Sequence, residues 1–261
     1  MEPKDGLEPK DQGSARDLWI AIPAYNCATQ IPRLISQLED QSIDLSRVAG
    51  LTVYDNRSQD DTFEVAKRAI EALRSRRPLD TQALKMDVVR NPQNLGLGGT
   101  HKVAIKKCGQ AQVPFCLVLH GDDQARIRDF ATILSKHSYQ KPKHTFGSRF
   151  SFHSKRVNYS TLRTLGNFAI NCFVSTLFLR VVPDLGGSGL NIYNLELLEE
   201  RYLAYADDLT FHVDLLLDAL NRRQHVEWEP IQWIESDQVS TAKVFRQGFK
   251  VLAKIISARI L

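Results

Sequence analysis

Val118-Leu119-His120-Gly121-Asp122-Asp123-Gln124 sets a short apolar run directly before a cluster of oxygen and nitrogen ligands. A buried strand that ends in such groups delivers them to the carboxyl edge of a sheet, where open α/β folds bind nucleotides. Carboxylate oxygens at that edge suit Mg2+ or Mn2+, ions commonly held by one or two carboxylates together with substrate phosphates. The stretch therefore points to a phosphorylated, nucleotide-linked substrate. Gly-Asp-Asp is equally ordinary turn chemistry, so the reading has to be carried by the rest of the chain.

Upstream of this stretch, strands and helices alternate. Leu18–Ile22 is an apolar run closed by Pro23, and residues 29–40 carry helical spacing at Ile31, Leu34, Ile35 and Leu38. A second strand, Gly50–Tyr54, runs into Asp55-Asn56-Arg57-Ser58. Asp60-Asp61-Thr62 then opens a helix to about Arg74, its acidic residues suiting the positive helix end. Arg74–Asp80 reads as a loop and Met86–Val89 as a third strand. Asn94–Gly99 reads as a glycine-rich turn before a helix over Thr100–Cys108, and Phe115–Leu119 is the fourth strand. This alternation predicts a doubly wound, Rossmann-like, mostly parallel α/β sheet flanked by helices.

Downstream, Thr145–Gly147 is a strand candidate and Leu162–Val182 an apolar helix interrupted by Arg163, Asn167, Asn171 and Arg180. A loop over Asp184–Gly189 precedes a strand at Leu190–Tyr193, a helix over Leu209–Arg222 and a strand over Val226–Pro230. The chain ends in a basic amphipathic helix, Lys243–Leu261. Lys243, Arg246, Gln247, Lys250 and Lys254 share one face, and Phe245, Phe249, Leu252, Ile256 and Ile260 another. The expected organisation is a polar tail over 1–16, one catalytic domain over 17–240 and a C-terminal helix over 241–261. Within the domain, 17–124 form a nucleotide-binding half and 125–240 an acceptor half.

Composition narrows the function classes. The 261 residues are 43% hydrophobic and 25% charged, ordinary for a globular protein. A net charge of +4, with basic residues spread along the chain, argues against nucleic acid. Cys27, Cys108, Cys116 and Cys172 form no CxxC pair, which favours a reducing compartment and argues against zinc. Neither a secretory signal nor an apolar membrane span is legible, so the expected location is cytoplasmic. No GxGxxG follows the first strand, which argues against a dinucleotide-binding dehydrogenase.

Read together, the blocks resemble glycosyltransferase family 2, and within it the dolichyl- and polyprenyl-phosphate sugar synthases. Ile-Pro-Ala-Tyr-Asn (22–26) resembles the family's hPxYN opening, and Val53–Thr62 its VVDDGSTDDT block. Asn91–Gly99 is similar to the N.G...G turn, and Leu119–Gln124 stands where the family has DADLQ. Phe146-Gly-Ser-Arg149 is similar to GSR, Asp184–Tyr193 to DxTSGFRxY, and Val226–Ile231 to xxEVPI. Seven blocks in the correct order span about residues 18–240. The resemblance implies a GT-A-type fold with an acceptor-side C-terminal region and a metal-dependent, inverting hexosyltransferase.

It also implies roles. Pro23, Tyr25, Asn26, Asp55, Asn56, Asn94, Gly96 and Asp122 are the expected donor-binding residues for a UDP- or GDP-sugar. Oxygens of Asp55 and Asn56 would accept the base's ring N–H, although the family's usual pair is Asp-Asp; the structural alternative is that Asp55 caps the next turn. Asn94 and the glycines would bring backbone N–H groups to the phosphates. Asp122 is the expected ligand of a divalent cation, Mg2+ or Mn2+, with Gln124 kept from the family pattern. His120 replaces the first carboxylate and is a softer ligand, and Asp123 is a supplementary candidate. Arg149 and Arg163 would grip an acceptor phosphate through paired hydrogen bonds, joined by Asn167 one turn on and by Ser188. With Asp122 they form the expected catalytic set.

A phosphate acceptor is ionised near neutral pH and needs little help from a base, whereas a hydroxyl acceptor needs a carboxylate, for which Asp207, Asp208 and Asp214 are the candidates. Three readings thus stay open: transfer to a polyprenyl phosphate, transfer to a hydroxyl of a glycan or small molecule in cell-envelope or polysaccharide synthesis, and a catalytically weak sugar-nucleotide binder. The basic C-terminal helix predicts peripheral attachment to the inner face of a membrane. The alternative is packing on its own domain or within a homo-oligomer.

Overall fold

The computed structural model describes residues 16–237 and 244–260. In chain order the strands are β1 (Leu18–Ala24), β2 (Val48–Asp55), β3 (Lys85–Arg90), β4 (Phe115–Leu119), β5 (Lys143–Ser148), β6 (Lys155–Val157), β7 (Leu190–Asn194), β8 (His225–Pro230) and β9 (Gln232–Ile234). The helices are α1 (Ile31–Ser36), α2 (Thr62–Arg76), α3 (Pro78–Thr81), α4 (Gly96–Gln110), α5 (Ala131–Ser135), α6 (Thr161–Phe178), α7 (Leu195–Leu198), α8 (Phe211–Asn221) and α9 (Val244–Ile260).

Seven strands form one sheet in the order β3-β2-β1-β4-β7-β5-β8. All pairs are parallel except those of β7, which runs antiparallel between β4 and β5. The α/β fold expected from the alternation is the fold observed. Along the fully buried β1, Leu18, Ile20 and Ile22 face a core built with α1 and α2, while Trp19 and Ala21 face one built with α4, α6, α8 and α9. This period-two division of an unbroken apolar run is what a strand covered on both faces requires. β1 runs on through Pro23 because pairing with β4 has already ended at Ala21. The missing N–H faces that open side, where the Pro23 carbonyl instead accepts from Gly121.

The carboxyl ends of β1, β2 and β4 and the amino end of β7 share one edge. The N–H of His120 donates to the carbonyl of Gly189 at 2.8 Å, fastening the Gly-Asp-Asp loop to the glycine-rich segment before β7. β6 and β9 pair in a small parallel sheet. Ile234 donates to the carbonyl of Gln124, which brings the end of β9 beside the same loop.

Three expectations change. Arg74–Asp80 is not all loop: Pro78 starts the short α3, and the Arg77 guanidinium anchors it to the carbonyls of Leu38, Asp40 and Ile43. Helix α4 begins at Gly96, so the glycine-rich turn is its first turn. Arg16 belongs to the folded body, its guanidinium donating to the carbonyls of Leu45 and Val48. Residues 1–15 of the expected tail, and Lys243 and Leu261 of the expected C-terminal helix, lie outside the described residues.

Candidate active site

A cavity of about 450 Å³ opens at this edge. Its wall gathers His120, Asp122, Gln124, Arg149, Arg163 and Asn167, residues that the sequence spreads over three separate segments. Asp122 follows β4 directly. Its Oδ1 accepts from the Gln124 N–H at 3.2 Å, and burial pushes its carboxyl up to about 6. Among the described residues it is the one acidic side chain that lines the cavity. Asp123, adjacent in sequence, has another role: its carboxylate binds Arg33, Gln37 and Arg126 at 3.1, 2.6 and 2.6 Å, and so ties the loop to α1. Asp123 is therefore a structural anchor and not a supplementary ligand.

His120 turns its ring to His101, with Nε2 to Nε2 at 3.0 Å. Its Nδ1 lies where a Cβ on residue 189 would come within 2.5 Å, so glycine there makes room for the ring. The Nε2 of His120 is thus already hydrogen-bonded, and burial holds the imidazole down at about 4. Among the described residues no group of three or more His, Cys, Asp or Glu is arranged to hold a metal. What the cavity offers a hard cation is the Asp122 carboxylate. That donor set fits Mg2+ or Mn2+ when substrate phosphates complete the shell.

The arginines each face a carboxylate. Arg149, at the end of β5, donates from Nε and Nη2 to Asp184 at 2.9 and 2.7 Å, and its backbone N–H donates to the same group. Arg163, in the first turn of α6, pairs with Glu235 beyond β9 and lies over the Tyr159 ring at 4.4 Å. Asn167 donates to Tyr159 Oη at 3.0 Å. Ser188 does not join them: it is fully buried, its hydroxyl donates to the Leu190 carbonyl, and it is absent from the cavity wall.

Apart from Asp122, the expected donor residues sit at the neighbouring strand ends, outside that wall. Tyr25 and Asn26 are exposed after β1. Pro23 is buried, and its carbonyl holds Gly121. Asp55 does cap the next turn: Oδ1 accepts from the Ser58 N–H at 3.0 Å, and Oδ2 accepts from Arg90 at 2.6 Å. Asn56 is a buried connector, donating to Asn94 and accepting from Asn91 and Leu95. Gly96 donates its N–H to Asn94 at 2.9 Å. A Cβ at Gly96 or Gly98 would approach the carbonyls of Asp207 or Ala206 to 2.3 or 2.1 Å. These glycines let α4 abut the segment before α8, which accounts for them without a phosphate.

The three acids considered as bases lie elsewhere. Asp207 pairs with Lys102, Asp208 with Lys250 and Asp214 with Lys254, and none lines the cavity. The last two pairs reverse the expected orientation of α9. Its basic residues Lys250 and Lys254 face α8 and the segment before it, with Ile255 buried, while Phe249, Leu252 and Ile256 are exposed. The side chains of Phe245, Arg246, Gln247 and Ile260 lie outside the described residues. α6 likewise exposes Leu162, Leu165, Phe168 and Phe173. Both helices contribute to the cavity wall, α6 through Leu162, Gly166 and Ile170 and α9 through Gly248 and Val251. Among the described residues no helix is long and apolar enough to cross a membrane.

Sequence reasoning missed His212, Asp184 as the partner of Arg149, and Glu235 as the partner of Arg163. Asp184 stood in a marked loop, but its partner lies 35 residues away, and Glu235 lies 72 residues from Arg163. No local spacing connects either pair.

The profile of Glycosyl transferase family 2 matches residues 19–189. No curated protein matches the chain in sequence. Among solved structures, a Mycobacterium tuberculosis glucosyl-3-phosphoglycerate synthase in complex with Mn2+, UDP and phosphoglyceric acid has a TM-score of 0.64 at 15% identity. That match covers 94% of this chain and 78% of the other. S. aureus TarS 1–349 in complex with UDP-GlcNAc has a TM-score of 0.57 at 19% identity, covering 93% and 66%.

Proposed function

The chain belongs to glycosyltransferase family 2, and from that premise we propose that it moves a sugar, with inversion, from a nucleoside-diphosphate sugar to a polyprenyl-phosphate acceptor. The observation that carries this reading is the meeting of Asp122, Arg149 and Arg163 in one cavity whose outer wall is formed by α6 and α9. A phosphate entering that cavity meets two guanidiniums, each able to give paired hydrogen bonds to its oxygens. Asp184 fixes the plane of one, and the Tyr159 ring backs the other. The candidate bases for a hydroxyl acceptor are each paired with a lysine and do not line the cavity. A phosphate, already anionic, can attack the anomeric carbon without such a base.

Asp122 and the donor's phosphate oxygens would hold a divalent cation, Mg2+ or Mn2+, which offsets charge on the departing nucleoside diphosphate. The nucleoside lies toward the exposed Tyr25 and Asn26 and the ends of β1 and β2 in this reading. UDP is the nucleotide to try first, because two fold neighbours hold UDP or UDP-GlcNAc. The exposed apolar residues of α6 and α9 beside the cavity support contact with a bilayer from which the lipid acceptor is taken. This docking is through apolar side chains, with Lys250 and Lys254 held by the protein's own acids.

A second reading, transfer to a soluble acceptor, is favoured by the neighbour crystallised with phosphoglyceric acid. The test of both is transfer of radiolabelled sugar from UDP- and GDP-sugars, with Mn2+, to a short polyprenyl phosphate, the matching polyprenol and phosphoglyceric acid. The proposal expects product with polyprenyl phosphate only, abolished by Asp122→Ala and strongly reduced by Arg163→Ala. Equal transfer to the polyprenol, or transfer to phosphoglyceric acid alone, overturns it.

A further inference from the structure

His212 is the second residue of α8 and lines the cavity, yet it is only 7% exposed. Among the described residues, neither Nδ1 nor Nε2 has a hydrogen-bond partner. The other buried histidines differ: His101 and His120 bond to each other, and His144 accepts from the Asn194 N–H at 3.2 Å. Nor is His212 loosely placed. Its ring meets the Phe146 ring edge-on at a centroid distance of 4.8 Å. A Cβ at residue 187 would lie 2.6 Å from its Cδ2, so only a glycine there leaves the ring its position. A buried polar group held this firmly without a partner calls for an explanation, and a ligand in the cavity supplies one.

The chemistry of the ring narrows the ligand. Burial keeps the imidazole neutral near pH 7, so it presents one donor and one acceptor. A phosphate near neutral pH offers acceptors, and Arg149 and Arg163 already serve that need. A sugar hydroxyl both donates and accepts, which matches the ring. We propose that His212 binds hydroxyl groups of the transferred sugar through its ring nitrogens, one accepting and one donating. This rests on reading the cavity as a sugar-nucleotide site. His212 is then the residue that separates a nucleotide sugar from the bare nucleotide, a distinction that Asp122, facing the phosphates, does not make.

The experiment measures affinities of UDP, UDP-glucose, UDP-galactose, UDP-GlcNAc and GDP-mannose with Mn2+ by calorimetry, for wild type, His212→Phe and His212→Gln. His212→Phe should weaken the preferred nucleotide sugar by about ten- to a hundredfold, the factor carried by two lost hydrogen bonds, and leave the bare nucleotide unchanged. His212→Gln, which keeps a donor and an acceptor, should recover most of the loss. As a readout that needs no substitution, long-range 1H–15N spectra of the His212 ring should shift both nitrogens with the nucleotide sugar and not with the nucleotide.

Equal weakening of nucleotide and nucleotide sugar, or no weakening and no ring shift, overturns the assignment while the glycosyltransferase reading stands. A loss seen only in the KM for the acceptor assigns the hydroxyl to the acceptor and overturns it as well. If wild type binds no member of the panel, the sugar-nucleotide reading fails first and the inference falls with it.

Discussion

Asp184 holds Arg149 by two side-chain hydrogen bonds of 2.9 and 2.7 Å, both fully buried, and a third from the arginine's own backbone N–H. This arrangement fixes a cation against the cavity at the end of β5, and it makes the pair sensitive to loss of either member. Asp184→Asn leaves a buried guanidinium without its counter-charge and should cost about 3–5 kcal/mol. Replacing both residues with apolar ones, Arg149→Met with Asp184→Leu, should restore most of the stability and none of the transfer activity. Urea unfolding and a transfer assay on the two variants check this. Comparable stability of Asp184→Asn and wild type would show that the pair is solvated.

The second pair, Arg163 with Glu235, is partly exposed and behaves differently. Glu235 pairs with Arg163, so a phosphate has to share or displace that carboxylate. Glu235→Gln removes the competing charge and should lower the KM for a phosphate acceptor several-fold, with little change in stability because the pair is partly solvated. Arg163→Lys should not substitute, since lysine lacks the fork that grips phosphate. Steady-state kinetics on both variants decide it, and an unchanged or raised KM in Glu235→Gln would argue that the carboxylate serves to aim the arginine.

Two glycines of the same helix should respond in opposite ways. A Cβ at Gly98 meets the Ala206 carbonyl at 2.1 Å, whereas a Cβ at the exposed Gly109 meets nothing within 4 Å. Gly98→Ala should destabilise by about 1–3 kcal/mol through overpacking against backbone. Gly109→Ala should stabilise by about 0.5–1 kcal/mol by improving helix propensity. Thermal melting of the two variants checks the packing of α4 against the segment before α8.

Acid should unfold the protein earlier than its carboxylates alone would. Burial holds His120, His144 and His212 at about 4 in the folded state, against an ordinary 6.5. The unfolded chain therefore takes up these protons first. Stability is full above pH 6.5 and is lost as pH falls toward 4, by up to about 1.4 kcal/mol per pH unit for each imidazole. Asp122 acts in the opposite sense: raised to about 6 from 3.8, it protonates first in the folded state and offsets part of the loss between those values. His144→Asn, whose amide oxygen can accept from the Asn194 N–H in place of Nδ1, should flatten the slope of melting temperature between pH 6.5 and 4. A slope unchanged in that variant would mean that His144 titrates normally in the fold.

Membrane contact should depend on Phe249, Leu252 and Phe168 and much less on the lysines of α9. Phe249→Glu with Phe168→Glu should abolish flotation with anionic vesicles while the melting temperature stays close to wild type, because both side chains are exposed. Lys250→Ala should weaken the helix's attachment to Asp208 without removing flotation. Flotation that survives the double glutamate variant would leave the bilayer without a docking surface here.

The sequence by itself settled the chain order of the seven strands of the main sheet and the edge at which the cavity opens, but not the short strands β6 and β9. Unbroken apolar runs closed by Pro23, Asp55 and His120 mark buried strands and their carboxyl ends, since a parallel strand must be apolar on both faces and its polar residues begin where the sheet stops. The apolar pattern reported helix α9 but not which face it packs, because an amphipathic repeat does not say whether lysines will find acids on the same domain. Asp208 and Asp214 decided that. Local composition likewise marked the glycines near residue 96 as a phosphate cradle, although their lack of side chains answers to the carbonyls of residues 206 and 207, a hundred positions away. Only the tertiary structure could pair Arg149 with Asp184, Arg163 with Glu235 and His120 with His101, or leave both nitrogens of His212 unmet by the described residues inside the cavity. Hydrogen-bond partnership is set by distance and burial in space, and the spacing of letters along a chain carries neither.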